Sequence, residues 1–221
     1  MPQYFQGILG TDAMGSGLRL LPMMAGLMVG AVPADRIAAR IGARLTVGAG
    51  FAVLVAGLLG GAATRVSSGE SFLAAWLAVV GAGVGLAMAT ATSAALSELP
   101  AERSGVGSAV LQAVKNVGTP LGAAVFGSAP SSGYQARLRL EGLPQAAASA
   151  VRASLFGGVA VADRLGSAPL LESVRTAFVH GMDLALAISA AVALAGVVLA
   201  LTFVPGRSTT RQGGAPVPAS R

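Results

Sequence analysis

Residues Leu184 to Gly206 read LALAISAAVALAGVVLALTFVPG and carry no charge. A bilayer core of about 30 Å needs about 20 helical residues at 1.5 Å each, so this run is long enough to cross. Asp183 and Arg207 bound it, and Pro205 closes it. Two further uncharged runs pass the same measure: Leu45 to Thr64, between Arg44 and Arg65, and Ser71 to Ser97, between Glu70 and Glu98. Two more carry one charge each. Gly15 to Ala34 holds Arg19 near one end, and Gly105 to Gly127 holds Lys115 near its middle. The expected fold is therefore all-α, a polytopic transmembrane helix bundle with five spans, and the expected location is the cell membrane.

Composition agrees with that reading. Of 221 residues, 54% are hydrophobic and only 11% charged, and the mean hydropathy is +0.72. A soluble domain carries about a quarter of its residues as charges. The net charge of +6 could suggest a nucleic-acid partner, but the arginines sit between apolar runs and no basic patch interleaved with aromatics occurs, so none is expected. There is no cysteine, which excludes disulfides and thiolate chemistry. The one histidine, His180, has no clustered ligand partners, so neither a metal site nor a catalytic triad is expected. No cofactor and no enzymatic activity are anticipated.

The expected organisation follows from the runs. Met1 to Gly10 (MPQYFQGILG) is too short to cross and lacks a signal-peptide n-region, so it reads as the end of a truncated helix. Residues 11–128 form a four-span region, 129–176 a long extracytoplasmic loop, 177–206 the last span, and 207–221 a disordered tail. Arg36, Arg40 and Arg44 in the loop Asp35 to Arg44 (DRIAARIGAR), with the arginines after Pro205, place those sides in the cytoplasm. Within the long loop, Gln145 to Leu165 is a candidate surface helix that the Gly157-Gly158 pair would weaken.

The stretch Val79 to Ala87 (VVGAGVGLA) imitates a dinucleotide-binding turn, but Leu86 stands where the third glycine belongs. Small residues at helix contacts explain the same pattern. Gly81 and Gly85, Gly26 and Gly30, Gly57 and Gly61, and Gly118 and Gly122 are each four apart, and packing is the expected role for most of them.

Lys115 lies too deep in its span to snorkel comfortably. Gln112 and Asn116 flank it, and Pro120 follows one turn later. Two readings stay open: a substrate or coupling residue in a central cavity, or a structural ion pair with a carboxylate on a missing helix. Arg19 can snorkel or join the cavity. Thr92 could line the cavity or bond back to its own helix.

The loop Gly30 to Arg44 (GAVPADRIAARIGAR) resembles the glycine, acid and arginine signature of the major facilitator superfamily. Ala39, Arg40, Gly42 and Arg44 fit its core, and Asp35 stands one turn before the position where the family has its acid. Pro100 to Gly127 (PAERSGVGSAVLQAVKNVGTPLGAAVFG) resembles the penultimate helix of the fourteen-span drug:proton antiporters, with Lys115 where an arginine is usual. Gly15 to Pro22 (GSGLRLLP) resembles the start of a helix in the same branch. The likeness covers nearly the whole chain and only the C-terminal half of such a transporter.

That resemblance implies the C-terminal half of a major facilitator fold in a proton-coupled exporter of small amphipathic molecules or drugs. Its implied partners are the lipid bilayer, the substrate, protons and an N-terminal half. Lys115, Gln112, Asn116, Thr92 and Arg19 would form the substrate or coupling cavity. Gly30, Asp35, Arg36, Arg40, Gly42 and Arg44 would form the cytoplasmic gate. The alternative is a non-transporting membrane module or truncated relic.

Overall fold

The computed structural model of the protein describes residues 12–65, 68–97, 104–138, 140 and 143–204. The helix end expected at 1–10, the connection 98–103 and the tail 207–221 lie outside them. Among the described residues every element is helical: α1 Ala13–Leu18, α2 Leu21–Ala31, α3 Ala34–Ile41, α4 Ala43–Ala62, α5 Glu70–Ser97, α6 Ser104–Arg137, α7 Gln145–Ala153, α8 Leu155–Leu165 and α9 Ala168–Phe203. Large apolar side chains stand exposed along these helices, among them Met28, Val29, Leu59, Leu194, Val198 and Phe203. Such surfaces suit lipid rather than water. The chain is a multi-pass, all-α membrane protein.

Among the described residues four segments are long and apolar enough to cross a membrane: Met14–Ile41, which takes in most of α1 to α3, then Ala43–Ala62, Glu70–Ser97 and Ala168–Phe203. The expected fifth, α6, is not among them. Its 34 residues suffice in length, but Gln112, Lys115, Asn116 and a scatter of glycine, serine and threonine lower its hydropathy. The breaks in the first span fall at prolines. Pro22 enters the first turn of α2, and Pro33 caps α3, because a residue without N–H leaves the carbonyl four residues earlier unbonded.

Glycine sets the helix pairing. α2 and α5 run parallel, with Gly26 against the Ala78 carbonyl, Gly30 against Ala82, Gly81 against Met23 and Gly85 against Leu27. A Cβ at any of the four would overlap the facing carbonyl oxygen. α4 packs antiparallel on α5, where a Cβ at Gly50 would stand 2.6 Å from Ala87 N and one at Gly57 2.8 Å from Val80 N. α9 packs antiparallel on α4, with Leu201 beside Gly48, Phe51 beside Gly196 and Leu186 beside Gly61. Leu58, Leu73, Trp76, Leu77, Val80, Val179 and Met182 fill the core between them. Three of the four expected glycine pairs thus pack helices. Gly118 and Gly122 do not: nothing lies within 4 Å of a Cβ at either.

The segment 129–176, expected as a loop, holds the end of α6, all of α7 and α8, and the start of α9. α9 has 36 residues, roughly 54 Å, so its first turns project beyond the ends of α4 and α5. α6 and α9 meet there, with a Cβ at Gly133 only 2.8 Å from Gly181 Cα. Tyr134, Val151, Leu155, Ala162, Leu170, Val174 and Ala177 form a second core that holds α7 and α8 on these projecting ends as a cap. The candidate helix over Gln145 to Leu165 is two helices, broken at Ser154, whose extended backbone and Oγ cap the N–H of Gly157. Gly158 does not weaken the cap. It admits Val174 and the Tyr134 hydroxyl, each within 3 Å of where its Cβ would stand.

Candidate functional site

The polar residues of α6 fall on one face. Ser108, Gln112, Lys115, Asn116 and Thr119 lie within about 100° of one another at 100° per residue. Gln112 Nε2 donates to Asn116 Oδ1 at 3.2 Å, and Thr119 Oγ1 donates to the Lys115 carbonyl at 2.8 Å. Between 105 and 120 only Gly107, Leu111 and Lys115 are partly covered. Their spacing of four marks the edge turned to the bundle, so Lys115 stands where the polar face meets that edge. Among the described residues no carboxylate forms an ion pair with it. It sits 11 residues into α6, roughly 16 Å from its start.

The structure does not bring Arg19 to this face. Arg19 pairs with Glu70 at the opposite end of the bundle, beside a cavity of about 270 Å³ lined also by Pro22, Ser71 and Leu73. The reason is topological: parallel packing of α2 and α5 sets the turn before α2 beside the first residue of α5. Glu70 escaped the sequence reading, because nothing in a separation of 51 residues marks the two as partners.

Thr92 shares a groove of about 470 Å³ with Asp35, Met88, Ser93 and Leu96, between α2–α3 and α5. Thr92, expected in the cavity, and Asp35, expected in the gate, therefore meet here. Asp35 stands in the first turn of α3, where the helix dipole favours a carboxylate. Arg36 and Arg40 are exposed on the same helix. Gly42 joins α3 to α4 at φ 91°, and Gly30 packs on Ala82. Arg44 Nη2 donates to the Thr202 carbonyl at 3.2 Å, tying the start of α4 to the last turn of α9. The six residues expected at the gate thus lie toward one end of the bundle, Gly30 and Gly42 through their backbones.

The chain is thus a membrane bundle with a polar helix face, a glycine-packed helix pair and an arginine-rich connecting helix. Among curated proteins, the tetracenomycin C resistance and export protein of Streptomyces glaucescens is 30% identical over 210 residues, covering 90% of this chain and 39% of that protein. The chain is a homologue of major facilitator drug exporters. The multidrug resistance protein Stp of Mycobacterium tuberculosis is 29% identical over 136 residues, 62% of this chain and 25% of its own length. The methyl viologen resistance protein SmvA of Salmonella typhimurium is 27% identical over 191 residues, 84% of this chain and 38% of its own length. The chain thus spans less than two fifths of each of these relatives. No family model matches it.

Proposed function

We propose that the chain supplies one wall of the path in a proton-coupled exporter of small amphipathic molecules, a path completed by further helices. The observation that carries this is the α6 face: Gln112, Lys115 and Asn116 on a membrane-length helix that the rest of the chain leaves largely uncovered. A cation and two amides facing lipid are costly, whereas facing a wetted path they bind. Lys115 would set the charge of the path, and the amide pair would offer adaptable hydrogen bonds. Asp35, Arg36, Arg40 and Arg44 would secure the inner gate on the cytoplasmic side, where the positive-inside rule puts arginine. Relatives named for resistance to tetracenomycin C and methyl viologen support a drug-like substrate.

The test compares the chain alone with the chain joined to the remaining length of its tetracenomycin relative. Both are reconstituted in vesicles under a proton gradient, and efflux of an amphipathic dye is followed. Efflux by the joined protein is expected to fall at least about tenfold with Lys115→Ala and to survive Lys115→Arg. Unchanged efflux in Lys115→Ala would remove Lys115 from the mechanism. Absence of gradient-driven efflux in both proteins would favour a non-transporting membrane module.

A further inference from the structure

Three buried polar atoms find no protein partner and take no part in the path: Thr64 Oγ1, Trp76 Nε1 and Asp183 Oδ1. Thr64 is 1% and Trp76 5% exposed. Native proteins rarely leave such atoms unsatisfied. The helix register brings Thr64 and Asp183 to one level of the bundle and Trp76 within about one turn of it. Gly61 is where α4, α5 and α9 meet, since a Cβ there would stand 3.0 Å from Trp76 Cε3 and Cζ3 and 3.1 Å from Leu186 Cδ1. α4 and α9 run antiparallel, so Thr64, three residues beyond Gly61, comes level with Asp183, three before Leu186. The Thr64 N–H is bonded to the Gly61 carbonyl at 3.0 Å, which holds it at that meeting point.

The hydrogen-bonding capacity of the three atoms is specific. An indole N–H only donates, an ionised carboxylate only accepts, and a hydroxyl does both. An apolar group satisfies none of them, and a metal cation is opposed by the indole N–H. A water molecule that accepts from Trp76 and Thr64 and donates to Asp183 satisfies all three.

Asp183 as a whole is only half-buried, its Oδ1 alone being enclosed. His180, one helical turn earlier on α9, lines a cavity of about 610 Å³ together with Arg137, Glu172 and Thr176. We propose that Thr64, Trp76 and Asp183 hold one water at the cap end of the bundle, and that Asp183 is a proton-binding site reached from this cavity through His180. One proton from solution joins the carboxylate, taking it from −1 to neutral.

The other titratable and charged groups toward this end of the packed elements include Glu172 and Arg175 on α9, Tyr134 and Arg137 on α6, Asp163 and Arg164 on α8, Arg65 after α4, and Glu70 with Arg19 at the mouth of α5. Arg19 and Glu70 hold each other as an ion pair. Use of the bound proton in export rests on the proton-coupled reading above, while proton binding itself is an equilibrium property of the chain.

Trp76 is the sole tryptophan of the sequence, so its emission reports on this site alone. The full chain in phosphatidylcholine vesicles would be titrated from about pH 4 to about pH 9. The Trp76 emission is expected to change in a single one-proton step. Asp183→Asn should abolish the step, Asp183→Glu should keep it with a displaced midpoint, and Thr64→Val should move the midpoint. His180→Gln should keep the step and slow it after a pH jump. A flat emission in the wild type, or a step that persists in Asp183→Asn, overturns the site, and an unchanged rate in His180→Gln overturns the route. The Asp183→Glu variant guards against misfolding as the cause of a lost step. A preserved titration in a chain whose joined form shows no efflux would sink the export reading and leave the proton site standing.

Discussion

Arg19, on the turn that opens α2, and Glu70, the first residue of α5, form an ion pair that ties the cap-side ends of two parallel helices. Their side chains are 28% and 66% exposed, so water and salt screen the attraction. Removing either charge should therefore cost less than about 1 kcal/mol. Arg19→Ala is expected to lower the unfolding midpoint in detergent slightly at low salt and hardly at all in high salt. The exchanged pair Arg19→Glu with Glu70→Arg should restore it.

Gly26 and Gly118 should answer differently to the same change. A side chain at Gly26 meets the main chain of Ala78, which cannot move without separating α2 from α5. Gly26→Val should destabilise the fold by about 3 kcal/mol or more, at or beyond the usual range of overpacking. At Gly118 nothing lies within reach, and Gly118→Ala should be neutral within about 0.5 kcal/mol or gain from helix propensity. Chemical unfolding of the two variants in one detergent makes the comparison.

Tyr134 donates its hydroxyl to the Val151 carbonyl at 2.8 Å, one of the carbonyls that the end of α7 leaves without a helical partner. Tyr134→Phe should loosen the cap by about 1 kcal/mol. Proteolysis between α6 and α9 should be faster in that variant.

Burial pushes the Tyr134 phenol up to about 12, above its ordinary value near 10. The raised group favours the folded cap fully below about pH 10, and that contribution is lost as the pH climbs toward 12. Hydrogen-exchange protection of α7 should fall over that alkaline window in the wild type, and in Tyr134→Phe the window should disappear.

Gly42 adopts φ 91° and ψ 150° between α3 and α4, a conformation that a side chain strains by about 1–3 kcal/mol. Gly42→Ala should turn α3 away from α4 and weaken the Arg44 bond to Thr202. Cross-linking between cysteines placed on α3 and on the last turn of α9 should drop in that variant.

The membrane helices were legible because lipid imposes a length and forbids charge, and both are countable in a single sequence. The glycine pairs were legible for a related reason: only small residues let backbones touch, and a spacing of four aligns them on one face. The polar face of α6 was legible around Lys115, since a cation in an apolar run is conspicuous. The partner of Arg19 was not, because helix order in space depends on packing across 51 residues. Nor was the cap. The segment Ala129 to Thr176 mixes glycine, arginine and serine without a long apolar run, and its helices form only because Tyr134, Val151 and Val174 bury one another. Nor did the sequence reveal that Thr92 and Asp35 face one groove, since that depends on the parallel register of α2 and α5.

The uneven attachment of α6 has a mechanical meaning. Among the described residues it is seated near Gly133, against Gly181, and Lys115 lies 18 residues away, roughly 27 Å along the axis. The helix is thus a lever with its fulcrum at the cap. A tilt of about 10° at that seat carries the ammonium roughly 5 Å, more than a hydrogen bond's length, while the glycine-locked pair of α2 and α5 stays still.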